Sequence, residues 1–322
     1  MNKQTAASAT GTSVDLRVEM AGLVLKNPVM VSSGTFGYGE EYSRIYDINR
    51  LGAIVAKATT IRPKHGNPPP RVVEVVGGML SCCGQQNVGL ERFISEKLPF
   101  IRTLSVPFFA NVAGEIVDDY VFIAEKLCAA GGIAALELNV SCPNLQQGGM
   151  AFGVDPAAVK EIVAAVKKIS SLPVVCKLTP NVTDVVAIAR AAEEAGADAL
   201  SLINAPLGMA IDVETRRPKL GNVVGGLTGP AIKPLALRMV WQVAQSVSVP
   251  VIGIGGITTA EDALEFIIAG ATAVQIGTAN FFRPLAPLEI IAGMEDYLKK
   301  HGLDNIKELR GSLELPPARG GH

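Results

Sequence analysis

VVCKLTPNVTDVVAIARAAEEAGADALSLIN, from Val174 to Asn204, reads as one complete strand–helix–strand unit. Val174–Leu178 is apolar and β-branched and follows Pro173 directly, as strand starts often do. Val182–Ala195 then places apolar residues at the three- and four-residue spacing of an amphipathic helix. The run EAGADAL stops that helix and leads directly into a second strand, Ala199–Ile203.

The same alternation continues in both directions. Further strand candidates are Val29–Ser32, Ala53–Ala56, Phe108–Val112, Ala135–Val140, Val251–Ile254 and Ala273–Ile276, which makes eight in all. Between them Asp118–Ala130, Pro156–Ile169, Pro230–Gln245, Ala260–Ala269 and Pro287–Lys299 carry helical periodicity. Asp155-Pro156 reads as a capped helix start, and AAGGI and IAGATAV repeat the helix stop. Eight such steps predict a (β/α)8 barrel over residues 14–313; an open doubly wound sheet is the alternative. Two regions depart from the repeat. Val14–Lys26 alternates like a hairpin with a Gly turn, placed to plug the bottom of a barrel. Thr60–Phe100, after the second strand, is a long Pro-, Gly- and Cys-rich loop, and a loop of that length is expected to be functional. Residues 1–13 and 314–322 read as flexible tails.

Composition removes several classes of function. Of 322 residues 48 % are hydrophobic and 18 % charged, with a formal net charge of −1, so the chain is globular and has no basic surface for nucleic acid. No apolar run reaches the roughly 20 residues of a membrane span, and the first thirteen residues lack a signal-peptide core. The five cysteines (Cys82, Cys83, Cys128, Cys142 and Cys176) follow no disulfide or zinc spacing, which predicts reduced thiols in the cytoplasm.

In a (β/α)8 barrel the chemistry sits at the carboxyl ends of the strands. Here those ends supply Ser32-Ser33-Gly34-Thr35, Lys57-Ala58-Thr59, Asn111, Asn139 with Cys142, Lys177, Asn204, Gly255-Gly256 and Gly277-Thr278. The fourth is the densest: LELNVSCPN, Leu136–Asn144, delivers two amides and a thiol where a core strand has no use for them. A strand, an Asn/Pro turn and a buried structural cysteine is the plainer reading of those nine residues. GIGGIT and IGT at the last two strands match a phosphate site of backbone N–H groups, or else mark tight turns only. Lys57 and Lys177 each end an apolar strand, one of them fit to stabilise negative charge on a reduced flavin ring, although a single lysine there would commonly snorkel to solvent.

From Val14 to Leu313 the chain resembles the dihydroorotate dehydrogenases. The resemblance is carried by SSGTFG (Ser32–Gly37), KATT (Lys57–Thr60), ELNVSCPN (Glu137–Asn144), KLTPNVTD (Lys177–Asp184), GGLTGPAIKPLAL (Gly225–Leu237), GGIT and QIGT. It implies a (β/α)8 barrel with FMN over the carboxyl ends of its strands. FMN would meet Ser33, Lys57, Ala58, Asn111, Asn139, Lys177, Ile203, Gly229, Gly255, Gly256, Gly277 and Thr278. Asn139, Asn144 and Asn204 would hold the substrate ring, with Lys57 and the segment Ser81-Cys82-Cys83-Gly84-Gln85 beside it. Cys142 would be the catalytic base while flavin N5 takes the hydride, with Lys57 assisting, and Leu145–Val154 looks like the family's mobile lid.

Cys at the base position and the absence of an added N-terminal helix resemble the soluble class one enzymes, and GPAIKPLAL with NPVMVSSGTFGYG looks most like their B-type. That type works with a second subunit carrying FAD and an iron–sulfur cluster, passing electrons to NAD. This implies a homodimer joined to such a subunit as a heterotetramer, since the chain has no cluster-binding Cys array or NAD fingerprint of its own. The sequence departs from the family at three substrate positions. Where NAIGLQN is usual it has Ser81-Cys82-Cys83-Gly84-Gln85-Gln86-Asn87, and Asn204-Ala205 replaces Asn-Thr or Asn-Ser. The alternative to dihydroorotate oxidation is therefore an FMN-dependent oxidoreductase of a related cyclic ureide or dihydropyrimidine. A flavin-binding barrel without turnover is a third possibility. Cys82-Cys83 reads as a small buried pair or, beside a flavin, as a redox-active one.

Overall fold

The computed structural model describes residues 14–141 and 152–317, with the backbone alone of 143–144 and 150–151. Eight parallel strands close into a barrel in sequence order: β1 (Val29–Val31), β2 (Ala53–Val55), β3 (Phe108–Val112), β4 (Ala135–Asn139), β5 (Val174–Lys177), β6 (Ala199–Leu202), β7 (Val251–Ile254) and β8 (Ala273–Ile276). Closure is made by β8 on β1, with Val274 opposite Val29 and Ile276 opposite Val31. This is the (β/α)8 barrel expected from the alternation.

The helices form because each apolar stripe has a barrel face to cover. α1 (Val117–Ala130), α2 (Pro156–Ile169), α3 (Val185–Glu194), α4 (Lys233–Ala244), α5 (Ala260–Ile268) and α6 (Ala286–His301) bury residues such as Ile162, Val163, Val166, Ile188 and Ala192 in one core that runs from Leu16 to Leu309. α2 begins as read, with Asp155 accepting the N–H of Ala157 at 3.0 Å. α3 begins three residues later than its periodicity indicates. Asp184 accepts the N–H groups of Val186 and Ala187 at 2.9 and 3.1 Å, and this cap fixes the first turn beyond Val182.

Val14–Lys26 does form a hairpin. Val18–Met20 pairs with Leu23–Leu25 across Ala21-Gly22, and Val18, Met20 and Leu25 are buried in the barrel's own core just before the chain enters β1. The loop after β2 is not alone at the mouth. Its strands Val72–Val75 and Gly78–Ser81 join Gly225–Thr228 and Leu207–Gly208 from the segment after β6 in a four-stranded antiparallel sheet. That second excursion escapes periodicity because its strands are two to four residues long and one of them, Gly225–Thr228, pairs with residues more than a hundred positions away. Residues 1–13 and 318–322 of the expected tails lie outside the described residues.

Candidate active site

Seven of the eight strand ends open onto one cavity of about 670 Å³. Ser33 enters from β1, Lys57 and Ala58 from β2, Asn139 from β4 and Lys177 from β5. Ile203, Asn204 and Ala205 follow β6, Gly255 and Gly256 follow β7, and Gly277 and Thr278 follow β8, with Gly229 alongside. Asn111, at the end of β3, is not on the wall. It is fully buried, and its Nδ2 donates to Glu137 Oε1 at 2.7 Å.

The β7–β8 end is made of backbone. Gly255 and Gly256 adopt φ of +131° and +73°, and a Cβ on Gly256 would lie 2.7 Å from the backbone nitrogen of Lys233, so glycine is needed there. The turn that follows is locked by Asp262. Its Oδ2 accepts the N–H and hydroxyl of Thr258 at 2.8 Å and the N–H of Thr259 at 2.9 Å, and its Oδ1 accepts Lys233 Nζ at 2.7 Å. Burial alone would raise the Asp262 pKa, but these donors hold its carboxyl at about 2. The N–H groups of Gly255, Gly256, Gly277 and Thr278 make no backbone hydrogen bond among the described residues. Four bare donors beside two short loops form an anion cradle.

The two lysines differ. Lys57 lines the cavity, and its ammonium has no hydrogen bond or ion pair among the described residues. Lys177 is buried; its Nζ lies 3.7 Å from Glu137 Oε1 and donates to Ser33 Oγ at 3.4 Å. Its neighbour Cys176 is fully buried, and burial first and the Glu137 charge second push that thiol up to about 12, so it has no thiolate to act as base.

The amides come from the ends of β4 and β6. Asn139 Oδ1 accepts Asn204 Nδ2 and the N–H of Ser141, both at 3.3 Å, while Asn204 Nδ2 also reaches Ser141 Oγ at 2.9 Å. Tyr120 from α1 donates to the Asn139 carbonyl at 2.8 Å and steadies the end of β4. Cys142 and residues 145–149 lie outside the described residues, as does the Asn144 side chain; the backbone of Pro143–Asn144 pairs antiparallel with Met150–Ala151.

The segment from Ser81 to Gln85 forms the remaining wall. It is clamped at both ends. Ser81 sits inside the four-stranded sheet between Val72 and Gly226, and buried Asn87 bonds Thr60 Oγ1, the Gln85 carbonyl and the Gly89 N–H. Cys82 is buried and Cys83 half-buried; neither is in a disulfide, and Cys83 Sγ lies 3.4 Å from Ser81 Oγ. Gln85 holds φ of +55°, which is unusual for a residue with a side chain.

Sequence reading missed two groups. Asn181 lines the cavity and ties two strand ends, its Nδ2 donating to the Ala205 carbonyl at 3.2 Å and its Oδ1 accepting the N–H of Leu207 at 3.0 Å. Beneath the cavity Glu137, Ser201 and Gln275 join Asn111 in a polar layer; a single polar residue inside each of the apolar strands ALELN, ALSL and AVQI was its signal.

The dihydroorotate dehydrogenase family model matches residues 15–298. "Dihydroorotate dehydrogenase B (NAD(+)), catalytic subunit" of Geotalea daltonii is 57 % identical over 94 % of this chain and 99 % of its own length. The protein of the same name from Geobacter sulfurreducens is 54 % identical over 94 % and 99 %. A DHODH from Eimeria tenella, solved in complex with ferulenol, shares the fold at a TM-score of 0.77 and 20 % identity, covering 96 % of this chain and 91 % of the other. A match across the whole barrel, with relatives identical at more than half of its positions, shows that the chain belongs to the dihydroorotate dehydrogenase family.

Proposed function

We propose that the chain is the catalytic subunit of an NAD-linked enzyme that oxidises dihydroorotate to orotate in pyrimidine biosynthesis, in the cytoplasm, with the barrel unit spanning residues 14–313. The observation that carries this reading is the convergence, on one cavity, of a backbone anion cradle, two lysines and a pair of facing amides. Those features fit FMN. The bare N–H groups of Gly255, Gly256, Gly277 and Thr278 suit its phosphate. Ile203, Ile254 and Gly229 give an apolar wall, and Lys57, Lys177 and Ser33 give donors for a polar ring edge. When bound, FMN supplies the two-electron acceptor.

The chain's own residues supply the rest. Asn139 and Asn204, already bonded to each other, present amide donors and acceptors to the carbonyls and N–H groups of a flat ureide ring, with Asn144 as a third. Lys57 and the clamped Ser81–Gln85 wall close over that ring, and Ala205 leaves room beside it. Cys142 as thiolate takes the proton acidified by the neighbouring carbonyl. The shift of Cys176 to about 12 removes that residue from the role. The partner in this reading is an electron-transfer subunit bearing FAD and an iron–sulfur cluster, with two copies of each chain assembled as a heterotetramer; the names of the relatives as NAD-linked catalytic subunits support the existence of a partner subunit.

Anaerobic mixing of the FMN-loaded chain with dihydroorotate tests the reading. Rapid bleaching of the flavin is expected. Bleaching by dihydrouracil but not by dihydroorotate would contradict the substrate assignment, and bleaching by neither would contradict catalysis.

A further inference from the structure

The interior of such a barrel is normally filled by branched aliphatic side chains. One layer here is instead polar and centred on Glu137, whose side chain is fully buried. Donors come to it from other strands: Asn111 Nδ2 from β3 to Oε1 at 2.7 Å, Ser201 Oγ from β6 to Oε2 at 3.0 Å and Gln275 Nε2 from β8 to Oε2 at 2.8 Å. Lys177 Nζ from β5 completes the shell at 3.7 Å from Oε1. Stability does not explain the arrangement. Asn111 Oδ1 and Gln275 Oε1 are left buried with no partner among the described residues, and a buried ion pair is often no more stabilising than apolar residues of the same volume. Of the five side chains only Lys177 also lines the cavity, so whatever the layer does is transmitted to the ligand there.

We propose that Glu137 is a positioning residue that, through Lys177, sets the relative affinity of the cavity for oxidised and reduced flavin. The inference rests on the reading that the cavity holds FMN. An ammonium at the cavity floor favours the form of the ring carrying more negative charge, and a carboxylate behind it moderates that preference. The three neutral donors share the carboxylate with Lys177 and so keep the ammonium from being drawn fully away from the cavity.

The test uses the FMN-loaded chain and reads bound-FMN content and the flavin midpoint potential by spectroelectrochemistry. Glu137→Gln keeps the shape and removes the charge. It is expected to bind FMN in full amount while tightening reduced over oxidised FMN about tenfold, a shift of roughly +30 mV for a two-electron couple. Gln275→Met removes one competing donor and leaves the charge. It is expected to move the potential the opposite way, because the carboxylate then draws more on Lys177. Full FMN content with an unchanged potential in Glu137→Gln, or shifts of the same sign in both variants, would overturn the proposal. Should Glu137→Gln not fold, Gln275→Met decides alone: a negative shift supports the role and an unmoved potential overturns it. A wild-type chain that binds no FMN would overturn the reading of the cavity itself, an outcome distinct from FMN bound at an unmoved potential.

Discussion

The two walls of the cavity are built in opposite ways. The β7–β8 wall consists of short loops, where Gly255, Gly256, Gly277 and Thr278 offer backbone N–H groups and one carboxylate, Asp262, locks the turn. The other wall comes from two long excursions that pair with each other across the mouth, and it offers side chains: Ser81, Cys83, Gln85 and Ala205. On the proposed reading the backbone wall holds a phosphate, and its positive-φ glycines leave little room for change. A side-chain wall on paired excursions can be re-lettered without disturbing the barrel, and the three departures from the family pattern all fall there.

That contrast can be broken by substitution. Gly256→Val should have the largest effect. It meets a φ of +73° and a backbone atom 2.7 Å away, strain of roughly 1–3 kcal/mol before the clash is counted. FMN retention, read by equilibrium dialysis, should fall by more than a hundredfold. Asn204→Ala should rank next. Losing its bonds to Asn139 and Ser141 should lower kcat/KM for dihydroorotate by ~10–100-fold, about 1.5–3 kcal/mol, with FMN content unchanged. FMN loss equal to that of the glycine variant would break the division between the walls. Ser81→Asn, on the excursion wall, should change the preference between dihydroorotate and dihydrouracil by about tenfold or less, again with full FMN.

The smallest effect concerns pH. Hydrogen-bond donors hold the folded-state pKa of Asp262 at about 2, below the ordinary 3.8 of an aspartate, so it contributes stability that is complete above about pH 4 and lost as pH falls towards 2. Thermal melts across that window should show a decline that Asp262→Asn removes, and a decline identical in the variant would contradict the turn-locking role.

The barrel was legible because its signals are local. Strands such as Phe108–Val112, Val251–Ile254 and Ala273–Ile276 match the alternation residue for residue, and Asp155-Pro156 announces its helix. The start of α3 was misplaced because the Asp184 cap outranked periodicity. Most of the cavity-lining residues were legible at strand ends, where a side chain has no core to fill, although Asn111 at the end of β3 is buried on Glu137 instead. Glu137 escaped because its meaning lies in four other strands, and the outer sheet escaped because Ser81 and Gly226 are neighbours only in space.

The central claim is that one wall holds the cofactor phosphate and the other the ureide. A crystal structure of the chain with FMN and orotate tests it most directly. The phosphate should accept the N–H groups of Gly255, Gly256, Gly277 and Thr278, with orotate between Asn139, Asn204 and the Ser81–Gln85 wall. A phosphate seated elsewhere, or orotate bound away from the two amides, would contradict it.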